Sequence, residues 1–194
     1  MNSIVRNLTL VSDVPSSDFR AAMRSLAGGV SVITVGRGKD ISGMTVTSVS
    51  SLAVDPPTLI VSVNRQSSSW PLLQRYGAFG VNILSADQVD VAERFSGKDG
   101  LKGVERFVGA QWLTRATGVP LLSGALAAID CEVEETIERH SHAIVIGRVR
   151  DVVTASPHTA LTYWDGQYVA IDQDEDNLKL AEVSLPTPRA LREI

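Results

Sequence analysis

The side chains able to do chemistry in this 194-residue chain gather in a few places, and the first is a run of hydroxyls. Between Gly43 and Pro57 stand Thr45, Thr47, Ser48, Ser50 and Ser51, set among Met44, Val46 and Val49. The apolar residues mark a partly buried element, and the hydroxyls exceed what a plain core strand needs. Such a segment offers backbone N–H, carbonyl and hydroxyl groups to a flat polar ligand, while Pro56-Pro57 stops the ladder and turns the chain. A Ser/Thr-rich strand and loop with no ligand would carry the same residues, because hydroxyls in loops also cap and turn. A second cluster, Ser67-Ser68-Ser69, precedes Trp70-Pro71-Leu72-Leu73, with Arg65 nearby. Pro71 near the first helical position and Ser69 as a cap predict a helix start, which suits either a phosphate or simple capping.

His140 and His142 would share one face of a strand that began early, but two ligands are too few for zinc. No third ligand stands at motif spacing, so no metal is expected. A histidine at the mouth of a strand is the better candidate for touching a ligand. Tyr163, Trp164 and Tyr168 fall in one hairpin, as core or as a stacking wall. Cys131 has no Cys/His pairing at nucleophile spacing and reads as a small apolar strand residue. Gly36-Arg37-Gly38-Lys39 lacks the third glycine and the following helix of a dinucleotide loop. Gly97-Lys98 is followed by Asp99 and lacks the upstream glycine of a P-loop. No G-x-S-x-G elbow is present, which disfavours a serine hydrolase.

The elements that must position these groups are short. Pro15-Ser16-Ser17-Asp18 starts a helix with Phe19, Ala22, Met23 and Leu26 at helical spacing, ended by Gly28-Gly29. Strands are predicted at 30–35, from Ile41, at 58–64, 78–84 and 125–133, 140–153 reads as a turn followed by a long strand, and helices are predicted from Trp70 and over 87–95. Pro120 to Gly124 reads as a turn, 96–100 as a flexible loop, and 162–171 as a hairpin turning at Asp165-Gly166. Many short strands, regular turn signals and no βαβ rhythm predict an antiparallel β-barrel or sandwich with peripheral helices, not a Rossmann sheet. Residues 1–14 are expected to be an arm, 15–171 one domain, and 172–194 an appendage.

The totals fit a globule of about one domain. The hydrophobic fraction is 44% and the charged fraction 21%. A net charge of -4 gives no footprint for nucleic acid or an anionic membrane. No apolar run approaches the roughly 20 residues of a membrane span, and the N-terminus lacks a secretory pattern. One cysteine excludes an intrachain disulfide and fits a cytoplasmic location.

The order of several short pieces resembles the flavin reductase-like family, the reductase components of two-component flavin-dependent monooxygenases. The pieces are Phe19-Arg20-x-Ala22-Met23, Gly28-Gly29-Val30-x-Val32-Ile33-Thr34, Gly43-Met44-Thr45-Val46-Thr47-Ser48-x-x-Ser51-Leu52 and Asp55-Pro56-Pro57. After them come Phe79-Gly80-Val81-Asn82-Ile83-Leu84, Arg94-Phe95-Ser96, Pro120-Leu121-Leu122-x-Gly124-Ala125-Leu126, His142-x-Ile144-x-x-Gly147-x-Val149, and Leu161, Tyr163 and Tyr168. Each piece alone is weak, and their joint order over about 16–171 is specific.

The resemblance implies a mainly β fold, a split antiparallel β-barrel of the FMN-binding type, working as a homodimer. It implies an NAD(P)H:flavin oxidoreductase that binds FMN or FAD and reduces it with NADH or NADPH. Hydride would pass from nicotinamide C4 to flavin N5, and the reduced flavin would go to a separate oxygenase. On this reading Met44, Thr45, Val46, Thr47 and Ser48 line the isoalloxazine ring. Ser62, Val63 and Asn64, with Ser67, Ser68, Ser69 and Trp70, hold the ribityl chain and phosphate, and Arg94, Phe95 and Ser96 close nearby. His142 meets the nicotinamide as an orienting group, and Tyr163, Asp165, Gly166 and Tyr168 border the same pocket. Family members often carry Gly-Asp before that histidine, where this chain has Arg139, His140 and Ser141. Two rivals suit the same barrel: an oxidase with tightly held FMN, and a non-catalytic flavin-binding domain.

Overall fold

The computed structural model describes residues 13–155 and 159–172. The arm predicted at 1–14, but for its last two residues, and the appendage predicted at 172–194, but for its first, lie outside them. Helix α1 (Ser16–Arg24) leads into strands β1 (Gly28–Gly29), β2 (Ser31–Arg37), β3 (Asp40–Val46), β4 (Ser50–Val54) and β5 (Pro57–Asn64). Helix α2 (Trp70–Tyr76), strand β6 (Ala78–Ile83), helix α3 (Val89–Ser96) and the short strands β7 (Trp112–Thr114) and β8 (Pro120–Leu122) follow. The chain continues through the long hairpin β9 (Ala127–Arg139) and β10 (His142–Thr154), then β11 (Thr159–Trp164) and β12 (Gln167–Asp172).

Seven strands form one antiparallel sheet in the order β3-β2-β6-β9-β10-β5-β4. Its two edges, β3 and β4, are joined by residues 47–49 alone. That connection spans no more than about 14 Å, so the sheet curls until its edges meet. The result is the expected barrel, split between β3 and β4. A second sheet, β1-β11-β12, and the β7–β8 pair lie outside the seven-stranded sheet.

β2 explains why the barrel has two cores. Its first six residues are all buried. Their alternation sends Ile33 and Val35 to one cluster with Val61, Val63, Phe79 and Val145, and Val32 to the other with Phe95, Phe107 and Leu121.

Three predicted elements differ in the structure. Pro120–Leu122 is not a turn but β8, paired with β7 through Leu113↔Leu121. The strand expected to end at 133 runs on to Arg139. Its outer half gives no apolar signal because the ladder with β10 holds it while it carries mostly polar side chains, among them Glu134, paired with Arg148. α1 forms where predicted, yet its apolar side is bare: Phe19 is 61% and Leu26, just past its end, 64% exposed.

Candidate functional site

The split is where the site lies. Where β3 ends, Met44, Thr45, Val46, Thr47 and Ser48 line a cavity of about 520 Å³. Ser48 takes over the ladder's work at the gap: its Oγ donates to the Ser62 carbonyl at 3.0 Å and accepts the Ser62 N–H at 3.3 Å. Thr45 Oγ1 donates to the Ala92 carbonyl at 2.6 Å, tying β3 to α3. Asn64 and His142 are direct partners in the β5–β10 register, so both reach the same wall. Tyr163 and Tyr168 pair across β11–β12 with ring centroids 5.3 Å apart, edge to face, and form another side. Burial first, then the charge of Glu93 and the neighbouring Tyr163, raises the Tyr168 phenol above its ordinary value. It therefore stays a neutral donor.

Ser62, Ser67 and Ser96 complete the predicted residues that the cavity brings together. Sequence reasoning missed Val30 and Lys98, which also line it. Val30 reads as ordinary strand core. Lys98 stands in the Gly97-Lys98 pair that fails the P-loop pattern, and its one signal in sequence is a cation in a glycine-flanked loop. No carboxylate pairs with Lys98 among the described residues.

Eight predicted residues do not line the cavity. Val63, Trp70 and Phe95 are buried in the two cores, and Phe95 stacks edge-on with Phe107 at 5.0 Å. Ser68 and Ser69 spend their hydroxyls on Ser42, each at 3.1 Å. Ser69 makes no side-chain cap on α2. Arg94 points away, with Nε and Nη2 donating to the carbonyls of Arg106 and Glu105. Asp165 and Gly166 are absorbed by the hairpin turn, where both have positive φ.

The donor set fits a flavin. Ser67 Oγ is buried and has no hydrogen-bond partner among the described residues. An unmade bond of this kind costs about 1–3 kcal/mol, which a ligand oxygen at that point would recover. The cavity adds hydroxyls, an aromatic pair and one unpaired cation to apolar Val30, Met44 and Val46, suited to a flat ring with an anionic tail.

No group of three metal-ligating side chains exists among the described residues. Cys131 is buried, and burial, then the charge of Asp130, pushes its thiol from 9.0 up to about 12. It is no nucleophile. Thiol reagents at pH 8 are expected to label it only on unfolding, as mass spectrometry would read. Between 9.0 and about 12 the unfolded chain releases this proton while the folded chain keeps it. This share of stability is therefore complete below the lower value and lost as pH rises towards the upper one. Urea midpoints measured across that window check the sign.

The profile of the flavin reductase-like domain matches residues 23–172 of this chain. RutF, an FMN reductase (NADH) of Cronobacter turicensis, is 34% identical over 155 residues, covering 80% of this chain and 92% of its own. BorF, the flavin reductase component of a bacterial two-component tryptophan halogenase, has a crystal structure similar at TM-score 0.76 and 32% identity, covering 82% of this chain and 99% of that one. The NADH:FAD oxidoreductase SgcE6 of Streptomyces globisporus, solved with NAD and FAD fragments, gives TM-score 0.74 at 26% identity, covering 84% and 99%.

Proposed function

We propose, from the premise that this chain belongs to the flavin reductase-like family, that it reduces free flavin with NADH and passes the product to a separate oxygenase. FMN is the flavin we assign, after the FMN reductase (NADH) relatives, with FAD as the alternative. The observation that carries this reading is the cavity at the barrel split, lined by Ser67, whose hydroxyl has no partner among the described residues, together with Lys98 and the Tyr163–Tyr168 pair.

Bound flavin would supply the redox chemistry, accepting at N5 the hydride given by nicotinamide C4. The chain's own part is to bind, orient and keep out water. The backbone and hydroxyls from Met44 to Ser48 hold the ring, Ser67 and Lys98 take the phosphate, and the Tyr163–Tyr168 wall and His142 orient the nicotinamide. A His142→Ala variant is expected to raise the KM for NADH about tenfold and change kcat by less than about threefold, the cost of one orienting hydrogen bond. Steady-state kinetics at saturating flavin reads both.

Residues 15–171 are the catalytic domain in this reading, and the protein is a cytoplasmic homodimer. Bare apolar side chains support the second subunit: Phe19 and Met23 on α1, and Trp164, Val169 and Ile171 on β11–β12. A monomer by light scattering would overturn the dimer. The function is tested by following reduced-nicotinamide absorbance with NADH or NADPH and added FMN, FAD or riboflavin. Turnover that saturates in added flavin supports it. Flavin that stays bound through gel filtration with no such turnover overturns it in favour of an oxidase.

A further inference from the structure

We propose that Ser141 is the positioning residue of His142, and that Arg65 fixes the turn on which both stand. This rests on the reading of His142 as the group that orients the nicotinamide.

β9 and β10 are joined by His140 and Ser141 alone, since Arg139 and His142 are direct partners. His140 has φ 50°, in the left-handed region that disfavours a side-chain-bearing residue. Contacts from outside the turn hold it in that shape. Arg65 supplies three. Its backbone N–H donates to the Ser141 carbonyl at 3.0 Å, and Nη1 donates to the His140 carbonyl at 3.2 Å. Nη2 lies 2.5 Å from Glu138 Oε2, on β9 just before the turn. Arg65 directly follows Asn64, the partner of His142 across the ladder. The end of β5 and the turn therefore move as one piece of the cavity wall.

Ser141 Oγ lies 2.9 Å from His142 Nδ1. Nε2 is then the ring nitrogen left over, and it has no partner among the described residues. A hydroxyl both donates and accepts, so Ser141 supports either neutral tautomer. What it fixes is the direction of the ring. Nε2 can offer a hydrogen or a lone pair as required, and a carboxamide presents both a carbonyl and an amide N–H to match. An ion pair as exposed as Arg65–Glu138, at 38% and 44%, adds little to stability, so its role here is geometric.

The test is a cycle of Ser141→Ala and His142→Ala, singly and together, with Ser141→Thr as the conservative variant. Ser141→Ala is expected to raise the KM for NADH roughly fivefold with kcat within about twofold, and Ser141→Thr to restore it. In the His142→Ala background, Ser141→Ala should change nothing further. Equal increments in both backgrounds, or no rise in KM, overturn the assignment. If His142→Ala alone leaves KM unchanged, the role of His142 falls and this inference with it, a result distinct from failure of Ser141→Ala alone. Arg65→Ala is expected to raise KM with an unchanged thermal midpoint, and a lowered midpoint with normal KM overturns the turn-fixing role.

Discussion

Replacing Gly43 with alanine is expected to lower the thermal midpoint by roughly 5–10 °C, the effect of about 2–3 kcal/mol of overpacking in a chain this size. An alanine Cβ there would sit 2.6 Å from Phe95 Cε1 and 2.7 Å from the Ile33 carbonyl oxygen. Neither neighbour has room to yield. Phe95 is 2% exposed and caught between Phe107 and Trp112, with centroids 5.0 and 5.6 Å away. Ile33 belongs to β2, which is paired on both edges. The Gly43 carbonyl also accepts from Arg106 Nη1 at 2.5 Å, a bond that a displaced β3 would stretch. Met44 to Ser48 follow directly, so flavin affinity should fall along with stability. Gly29→Ala is the control, because its Cβ would meet nothing within 4 Å. Calorimetry of both variants, with and without FMN, decides the matter, and equal midpoints would refute the packing argument.

Lys98→Ala is expected to bind FMN about tenfold more weakly than the unaltered protein, the loss of one charge-assisted contact, and to bind riboflavin equally well. The two flavins differ at the phosphate, so the comparison isolates that end of the ligand. The difference should shrink as salt is added, since Lys98 is exposed and its attraction is screened. Ser67→Ala should discriminate between the two flavins in the same way with little salt dependence, because it removes a buried neutral hydroxyl. Fluorescence titration at low and high ionic strength measures all four cases. Equal losses for FMN and riboflavin would place Lys98 elsewhere on the flavin.

The barrel was legible because β-branched runs such as Val30 to Val35 have few other uses, and the surplus of hydroxyls after Gly43 marked the slot. What was hidden is which of several adjacent residues faces the ligand. Ser67, Ser68 and Ser69 look alike in sequence, yet Ser42 claims the last two hydroxyls and leaves the first. Arg94, Phe95 and Ser96 form the last turn of α3, where successive side chains diverge by about 100°. Only Ser96 reaches the cavity, while Phe95 enters the core. Lys98 shows as a cation in a glycine-flanked loop, but a loop has no periodicity to say where it folds. The bare side of α1 could not be foreseen either, since an apolar stripe predicts burial without naming what buries it.

The register that sets Asn64 opposite His142 also governs when this molecule can exist. During synthesis β5 waits for a partner made roughly eighty residues later, about 4–16 s at ordinary elongation rates. Until then Leu59 has β4 alone beside it in the ladder, and Val61 and Val63, past the end of the β4 register, have no strand partner. Ladders closed over such distances form slowly, and the interval exposes apolar strand to other chains. The cavity needs early residues from β3 and late ones from β11 and β12. Flavin therefore stabilises the finished barrel and has no part in building it.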